Sequence, residues 1–208
     1  GSGNRGDVLN ISVKEYLEKS DKFKTNYKGY KVPVKFPEKE LPIDPYYLGL
    51  WLGDGSKKNI RCVYTNDFEI VDYIKSLEGY ESPSQKFGML LPKGMYVEEF
   101  KELYNLERVI NLDEKYIPQQ YLLNSTENRL KLLAGLLDSD GYYSRNDNTF
   151  EIIQKNKKLA EQIVFLCNSL GFRVTLAEKI GTIKSLNFEG LYYRISIYGN
   201  LEIIPNII

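Results

Sequence analysis

The stretch Tyr47-Leu48-Gly49-Leu50-Trp51-Leu52-Gly53-Asp54-Gly55 is echoed by Leu133-Ala134-Gly135-Leu136-Leu137-Asp138-Ser139-Asp140-Gly141. Each is an apolar run with a glycine inside it, closing on a small residue, an aspartate and a glycine. Gly49 with Gly53, and Gly135 with Ser139, stand four apart, which places each pair on one face of a helix. Small residues on a shared face let two helix backbones approach closely. Helices packed along those faces bring their C-terminal ends side by side, and with them Asp54 and Asp140. The expected architecture is two similar subdomains, each delivering one carboxylate to a common site.

One such Asp-Gly ending reads as an ordinary helix stop with aspartate in a turn; the second matched copy turns it into a candidate site. Two adjoining carboxylates repel each other unless a cation joins them. An all-oxygen, water-rich site suits Mg²⁺ better than zinc, with Mn²⁺ able to substitute. The backbone carbonyls of Gly53 and Ser139 are further candidate ligands. A metal held there can activate water and neutralise charge on a phosphate. Histidine is absent from the chain, which removes histidine general bases, the usual serine triads and imidazole zinc sites. Cys62 and Cys167 lie far apart without metal-ligand spacing and read as buried thiols in a reducing, intracellular compartment. No apolar run reaches the roughly 20 residues that a membrane span needs. Gly1-Ser2-Gly3 reads as a cloning scar, and no signal peptide is evident.

The formal net charge is zero, but the segments before Pro45 and after Gly141 carry a small excess of Lys and Arg, and a neutral total can hide a basic face. Ser12 and Glu15 make a capping box for a short helix around Ser12–Ser20. The basic-aromatic stretch Lys22–Lys31 reads either as a solvated loop with snorkelling lysines or as a phosphate-tracking arm. Pro33, Pro37 and Pro42 make Val32–Ile43 an extended connector. Asp44 caps a helix with Pro45 at its first position, running through the first motif to Gly55. Strands are expected at Ile60–Tyr64 and Gln85–Leu91, and helices at Phe68–Leu77 and Tyr96–Leu106. The second motif helix spans Glu127–Asp140, capped by Ser125 or Thr126. Strand follows at Phe150–Ile153, helix at Lys157–Leu170 with Gly171 as its stop, and strands at Phe172–Ala177 and Tyr192–Tyr198. The order repeats, with about 86 residues between Asp54 and Asp140, too long for a solenoid. The expected organisation is an extension and connector over 1–43, a first subdomain over 44–124 and a second over 125–208.

The second motif, LAGLLDSDG, resembles the signature of the LAGLIDADG, or dodecapeptide, homing endonucleases, and YLGLWLGDG resembles the first copy in their single-chain, two-motif members. Lys115-Tyr116-Ile117-Pro118, Leu159-Ala160, Ser169-Leu170-Gly171-Phe172, Ile195-Ser196-Ile197-Tyr198-Gly199 and Ile204-Pro205 resemble later blocks of that family. The resemblance covers most of the chain from Leu41 onward, and the head around Val8–Leu17 and Lys28-Gly29-Tyr30 looks like that of fungal inteins. It implies an α+β fold of two αββαββα halves forming a saddle on double-stranded DNA. It also implies a monomer with internal pseudo-twofold symmetry that cuts both strands with Mg²⁺ and leaves short 3′ overhangs. In a eukaryotic host it would need access to the nucleus. Asp54 and Asp140 match the metal-binding aspartates, and Lys115 matches the basic residue assisting one active centre. A second such lysine has no clear match; Lys179 and Lys184 are candidates, or the chain stops short of it. The splicing residues of an intein are not matched. Asp138, whose counterpart is Leu52, reads as structural or as supporting the site from outside.

On such a saddle, alternating strand residues face DNA. Candidates are Lys57, Lys58, Arg61, Tyr64 and Lys86 in the first half. In the second they are Arg145, Gln154, Lys155, Arg173, Lys179, Lys184 and Arg194, with arginine or lysine suited to guanine and glutamine to adenine. Two other readings stay open: a cleavage-deficient DNA-binding domain of the same fold, and an RNA maturase.

Overall fold

The computed structural model describes residues 8–27, 29–56, 63–77, 89–90, 96–105, 115–183 and 188–208. It divides into two compact units, Gly1–Lys31 and Val32–Ile208. The connector Val32–Ile43 falls within the larger unit.

In the smaller unit α1 (Val13–Leu17) carries the expected capping box: Ser12 Oγ accepts from Glu15 N at 3.1 Å and Glu15 Oε2 accepts from Ser12 N at 2.9 Å. The basic-aromatic stretch is not simply a loop. Its start forms α2 (Asp21–Asn26), with Ser20 accepting from Phe23 N at 3.3 Å. Phe23 stacks on Tyr27 at 4.5 Å and meets Tyr16 edge-on at 6.3 Å. Helical spacing turns these aromatics toward one another.

The larger unit runs α3 (Pro45–Asp54), β1 (Val63–Tyr64), α4 (Phe68–Ser76), β2 (Met89–Leu90), α5 (Val97–Leu103), α6 (Gln119–Leu122), α7 (Thr126–Asp140), β3 (Gly141–Ser144), β4 (Thr149–Gln154), α8 (Lys157–Ser169), β5 (Arg173–Ile183), β6 (Phe188–Tyr198) and a 3₁₀ turn at Leu201–Ile203. β1 pairs with β2, and β3-β4-β6-β5 form an antiparallel sheet. The second half thus realises helix, two strands, helix, two strands; its last helix is reduced to a 3₁₀ turn, because Pro205 bars Ile204 from helical backbone. The strands expected at Ile60–Tyr64 and Gln85–Leu91 are met at Val63–Tyr64 and Met89–Leu90, and their other residues lie outside the described set.

Local signals place the ends of the two motif helices. Asp44 Oδ1 accepts from Tyr47 N at 3.0 Å with Pro45 next in line, and Ser125, not Thr126, caps α7 by accepting from Asn128 N at 3.3 Å. Every residue of α3 from Pro45 to Leu52 is buried, as befits a helix apolar on all sides. α3 and α7 cross at their glycines. A Cβ on Gly49 would strike the Leu132 carbonyl and lie 2.9 Å from Gly135 Cα; one on Gly135 would strike the Tyr46 carbonyl and lie 2.8 Å from Leu50 N. A single apolar core embraces both helices, with Trp51, Tyr47 and Phe100 among its largest members.

The connector is strapped to the second half. Val34 N donates to Ser169 O at 2.8 Å. Arg129 is fully buried, and its guanidinium donates to the carbonyls of Asn124 (2.9 Å), Ser169 (3.0 Å) and Val34, and packs on the Phe36 ring at 4.9 Å. Carbonyl dipoles offset the desolvation of this charge. Gly171, at φ +88°, turns the chain after α8, and a side chain there would meet Pro33.

Candidate active site

Asp54 and Asp140 are the last residues of α3 and α7. The glycine crossing fixes their proximity: a Cβ on Gly53 would strike Ser139 Oγ and lie 3.3 Å from Asp140 Cγ. Both aspartates are half-buried. Burial, and then the neighbouring Asp140 charge, push the Asp54 carboxyl up to about 6, against the opposing pull of Lys115. Burial also raises Asp140, while the hydrogen bond from Gln154 and the charge of Lys115 draw it down. Helix C-termini carry partial negative charge, so two of them ending in carboxylates concentrate negative potential in one place.

Lys115 answers that potential. Its Nζ donates to the carbonyls of Trp51 (2.7 Å), Leu52 (3.1 Å) and Gly53 (2.9 Å), and lies 5.1 Å above the Trp51 ring. Expected as a group assisting chemistry directly, it lies buried against the C-terminal turn of α3, its charge acting on both Asp54 and Asp140. Its backbone belongs to the other half: Asn156 Nδ2 donates to Lys115 O at 2.8 Å, and the Gln162 amide exchanges two 2.8 Å hydrogen bonds with Ile117.

Gln154 requires a correction. Named above among the base-reading residues, it is buried, and its Nε2 donates to Asp140 Oδ2 at 2.9 Å. On β4 it shares the face of buried Ile152, so it cannot point with Ile153 to the outer surface. Asp138 has the supporting role expected of it. Its carboxylate accepts from Tyr46 OH (2.7 Å), Asn206 Nδ2 (2.6 Å) and Ile207 N (2.7 Å), joining α3, α7 and the C-terminal segment. Tyr46 and Asn206 were missed, because nothing local in the sequence links them to the motif. Ser139 Oγ bonds back to the carbonyls of Gly135 (2.8 Å) and Leu136 (3.2 Å).

The other candidates separate by face. On β6 Tyr193, Ile195 and Ile197 are buried on one face, and strand alternation puts Tyr192, Arg194, Tyr198 and the buried Ser196 on the other. The register sets Arg173 beside Tyr198, Ala177 beside Arg194 and Lys179 beside Tyr192. Arg173, Lys179 and Arg194 therefore share that face. Arg194 Nε is buried and has no hydrogen-bond partner among the described residues; Glu151, at 3.9 Å, is too far for one. Arg145 is exposed in the β3–β4 turn, Lys155 is exposed just past β4, and Tyr64 is exposed on β1. Lys57, Lys58, Arg61, Cys62, Lys86 and Lys184 lie outside the described residues. Cys167 is buried as a free thiol. No helix among the described residues is long and apolar enough to cross a membrane.

The donor set can be tested against a divalent ion. Two carboxylates and nearby backbone carbonyls offer hard oxygen donors, and no cluster of three or more His, Cys, Asp or Glu that could hold a metal occurs among the described residues. Hard oxygen donors of this kind suit an ion such as Mg²⁺.

Fold and site together define a paired-helix protein with a two-carboxylate, oxygen-donor centre beside an antiparallel sheet. Residues 116–201 match the sequence model of the family described as homing endonuclease. The replicative DNA helicase DnaB of Mycobacterium intracellulare is 32% identical over 146 residues, which are 70% of this chain and 22% of that protein. The ATP-dependent DNA helicase Hel308 of Methanocaldococcus jannaschii is 23% identical over 193 residues, 86% of this chain and 15% of that protein. The chain thus spans only a minor part of either helicase. Similar solved structures include mesophilic variants of the homing endonuclease I-DmoI (TM-score 0.49, 16% identity, covering 78% of this chain and 91% of that one). I-DmoI in complex with DNA and Ca is similar too (TM-score 0.47, 17% identity, 78% and 85% covered).

Proposed function

We propose that the chain is a site-specific, metal-dependent homing endonuclease of the two-motif LAGLIDADG type, making a double-strand break in duplex DNA. The observation that carries this reading is the crossing of α3 and α7 at Gly49 and Gly135, which sets Asp54 and Asp140 at adjoining helix ends. Asp54 and Asp140 would hold Mg²⁺, or Mn²⁺ in its place, with the carbonyls of Ser139 and of Gly53, the latter already accepting from Lys115, as further candidate donors. The ion would supply activation of water and neutralisation of phosphate charge. The chain's own part is to hold both carboxylates in one partly desolvated place, with Lys115 fixing one helix end and Gln154 orienting the other carboxylate. Arg173, Lys179 and Arg194 on the outer face of the sheet would meet the DNA. Short 3′ overhangs and action as a monomer with internal pseudo-symmetry belong to the same reading.

The origin we infer is an intein endonuclease segment. Support comes from the two relatives, helicases of different kinds in which a stretch like this chain makes up a minor part. A mobile insert has that distribution.

The test is a cleavage selection: fragmented duplex DNA is incubated with the protein in Mg²⁺ and then in Mn²⁺, and new ends are sequenced. One recurrent long site with 3′ overhangs is expected, lost in Asp54→Asn and Asp140→Asn. Recurrent ends that persist in both variants would refute the assigned chemistry. Retention of one duplex site without ends would favour a binding domain.

A further inference from the structure

Lys115 joins two parts of the fold that meet at the site. Its carbonyl is held by Asn156, the cap of α8, and Ile117 two residues on is held by Gln162 of α8, while its ammonium holds the last carbonyls of α3. Three carbonyls match in number the three N–H donors of an ammonium. Lys115 is buried, its ammonium lying over the ring of Trp51, the residue one turn before Asp54. A helix end anchored in this way cannot fray, and Asp54 is its final residue.

We propose that Lys115 is a positioning residue: it acts through the C-terminal turn of α3, holding Asp54 in place for a divalent ion. This rests on the metal-centre reading above. The role differs from donation of charge to substrate, because the ammonium is engaged with main-chain oxygens of the helix that carries the ligand. It also differs from simple electrostatics. A cation beside a metal site repels the metal, so removing it should tighten metal binding; removing a brace should loosen it.

Trp51 is the chain's single tryptophan, one turn from Asp54, and its excitation can sensitise bound Tb³⁺. Wild-type protein is expected to give saturable Tb³⁺ emission that Mg²⁺ displaces and that Asp54→Asn removes. Lys115→Met should weaken Tb³⁺ binding by about 10-fold or more, the usual cost of losing a residue that holds a ligand from outside. Lys115→Gln, whose amide still donates to a carbonyl, should recover much of it. Gln162→Met keeps the Lys115 charge but frees the segment that carries it, so it too should weaken Tb³⁺ binding; this variant decides the matter if Lys115→Met does not fold. Tighter or unchanged Tb³⁺ binding in Lys115→Met, or unchanged binding in Gln162→Met, overturns the positioning role. A wild-type protein without Mg²⁺-displaceable emission would overturn the metal reading itself, a failure visible before any Lys115 variant is made.

Discussion

Gln154 Nε2 donates a 2.9 Å hydrogen bond to Asp140 Oδ2, from the end of the strand that pairs with the one leaving Asp140. The bond favours the ionised carboxylate and is the largest of the influences that oppose burial there. Replacing Gln154 with Met removes it. Asp140 should then ionise at higher pH, so the acid limb of a cleavage pH profile moves up. Activity should fall most at low pH and recover as pH rises. A uniform fall at every pH would mean that Gln154 acts on something other than Asp140.

Asp54 gives the metal-free protein an unusual pH dependence. Its folded value, about 6, lies above the ordinary 3.8. Between those values the native state holds a proton that the unfolded chain has lost, so stability falls as pH rises across that interval. Urea unfolding at a series of pH values should show this slope, and Asp54→Asn should flatten it. Mg²⁺ should oppose it, since the ion binds the ionised form.

Gly49→Ala and Gly135→Ala test the helix crossing. Each new methyl would meet backbone of the facing helix, which cannot rotate away as a side chain can. Overpacking of this kind costs about 1–3 kcal/mol or more, to be read as a lowered urea midpoint. Cleavage should fall as well, because separating the helices separates Asp54 from Asp140.

Asp138 and Asp140 stand two residues apart and should behave oppositely. Asp138→Leu, which copies Leu52 of the first motif, leaves Tyr46 OH, Asn206 Nδ2 and Ile207 N without their acceptor. Of these only Tyr46 is buried, and a buried group so orphaned costs about 1–3 kcal/mol, so the variant should melt early yet still cut DNA at low temperature. Asp140→Asn should melt near wild type and cut at no temperature.

What could be read in advance followed locality. Asp44-Pro45, Ser125, the Ser12–Glu15 box and Gly171 act within one turn of themselves, and their elements formed as expected. The motif glycines were legible because a four-residue spacing states a helix face without reference to anything distant. Gln154 was misread because its partner depends on the β3–β4 register, Gly141 opposite Ile152, which fourteen residues of sequence do not announce. The anchoring of Lys115 was hidden for the same reason: its three acceptors are main-chain atoms, which leave no trace in residue identity. α2 was missed because lysines and aromatics hid a Ser20-Asp21 start. β3 was overlooked because Gly141, read only as a stop, is also the first residue of a strand.

The strap from Val32 to Ile43 lies between the smaller unit and the first motif in sequence, yet Val34 and Phe36 are gripped by Arg129 of the second motif helix and by the end of α8. The two halves are therefore interleaved along the chain and are not consecutive modules. Chimeras that exchange second halves between relatives should carry their own residues 32–43 with them. A fragment cut at the start of the second motif alone would leave the Arg129 charge facing solvent or void, so an exchange of second halves needs a further pair of breakpoints around residues 32–43.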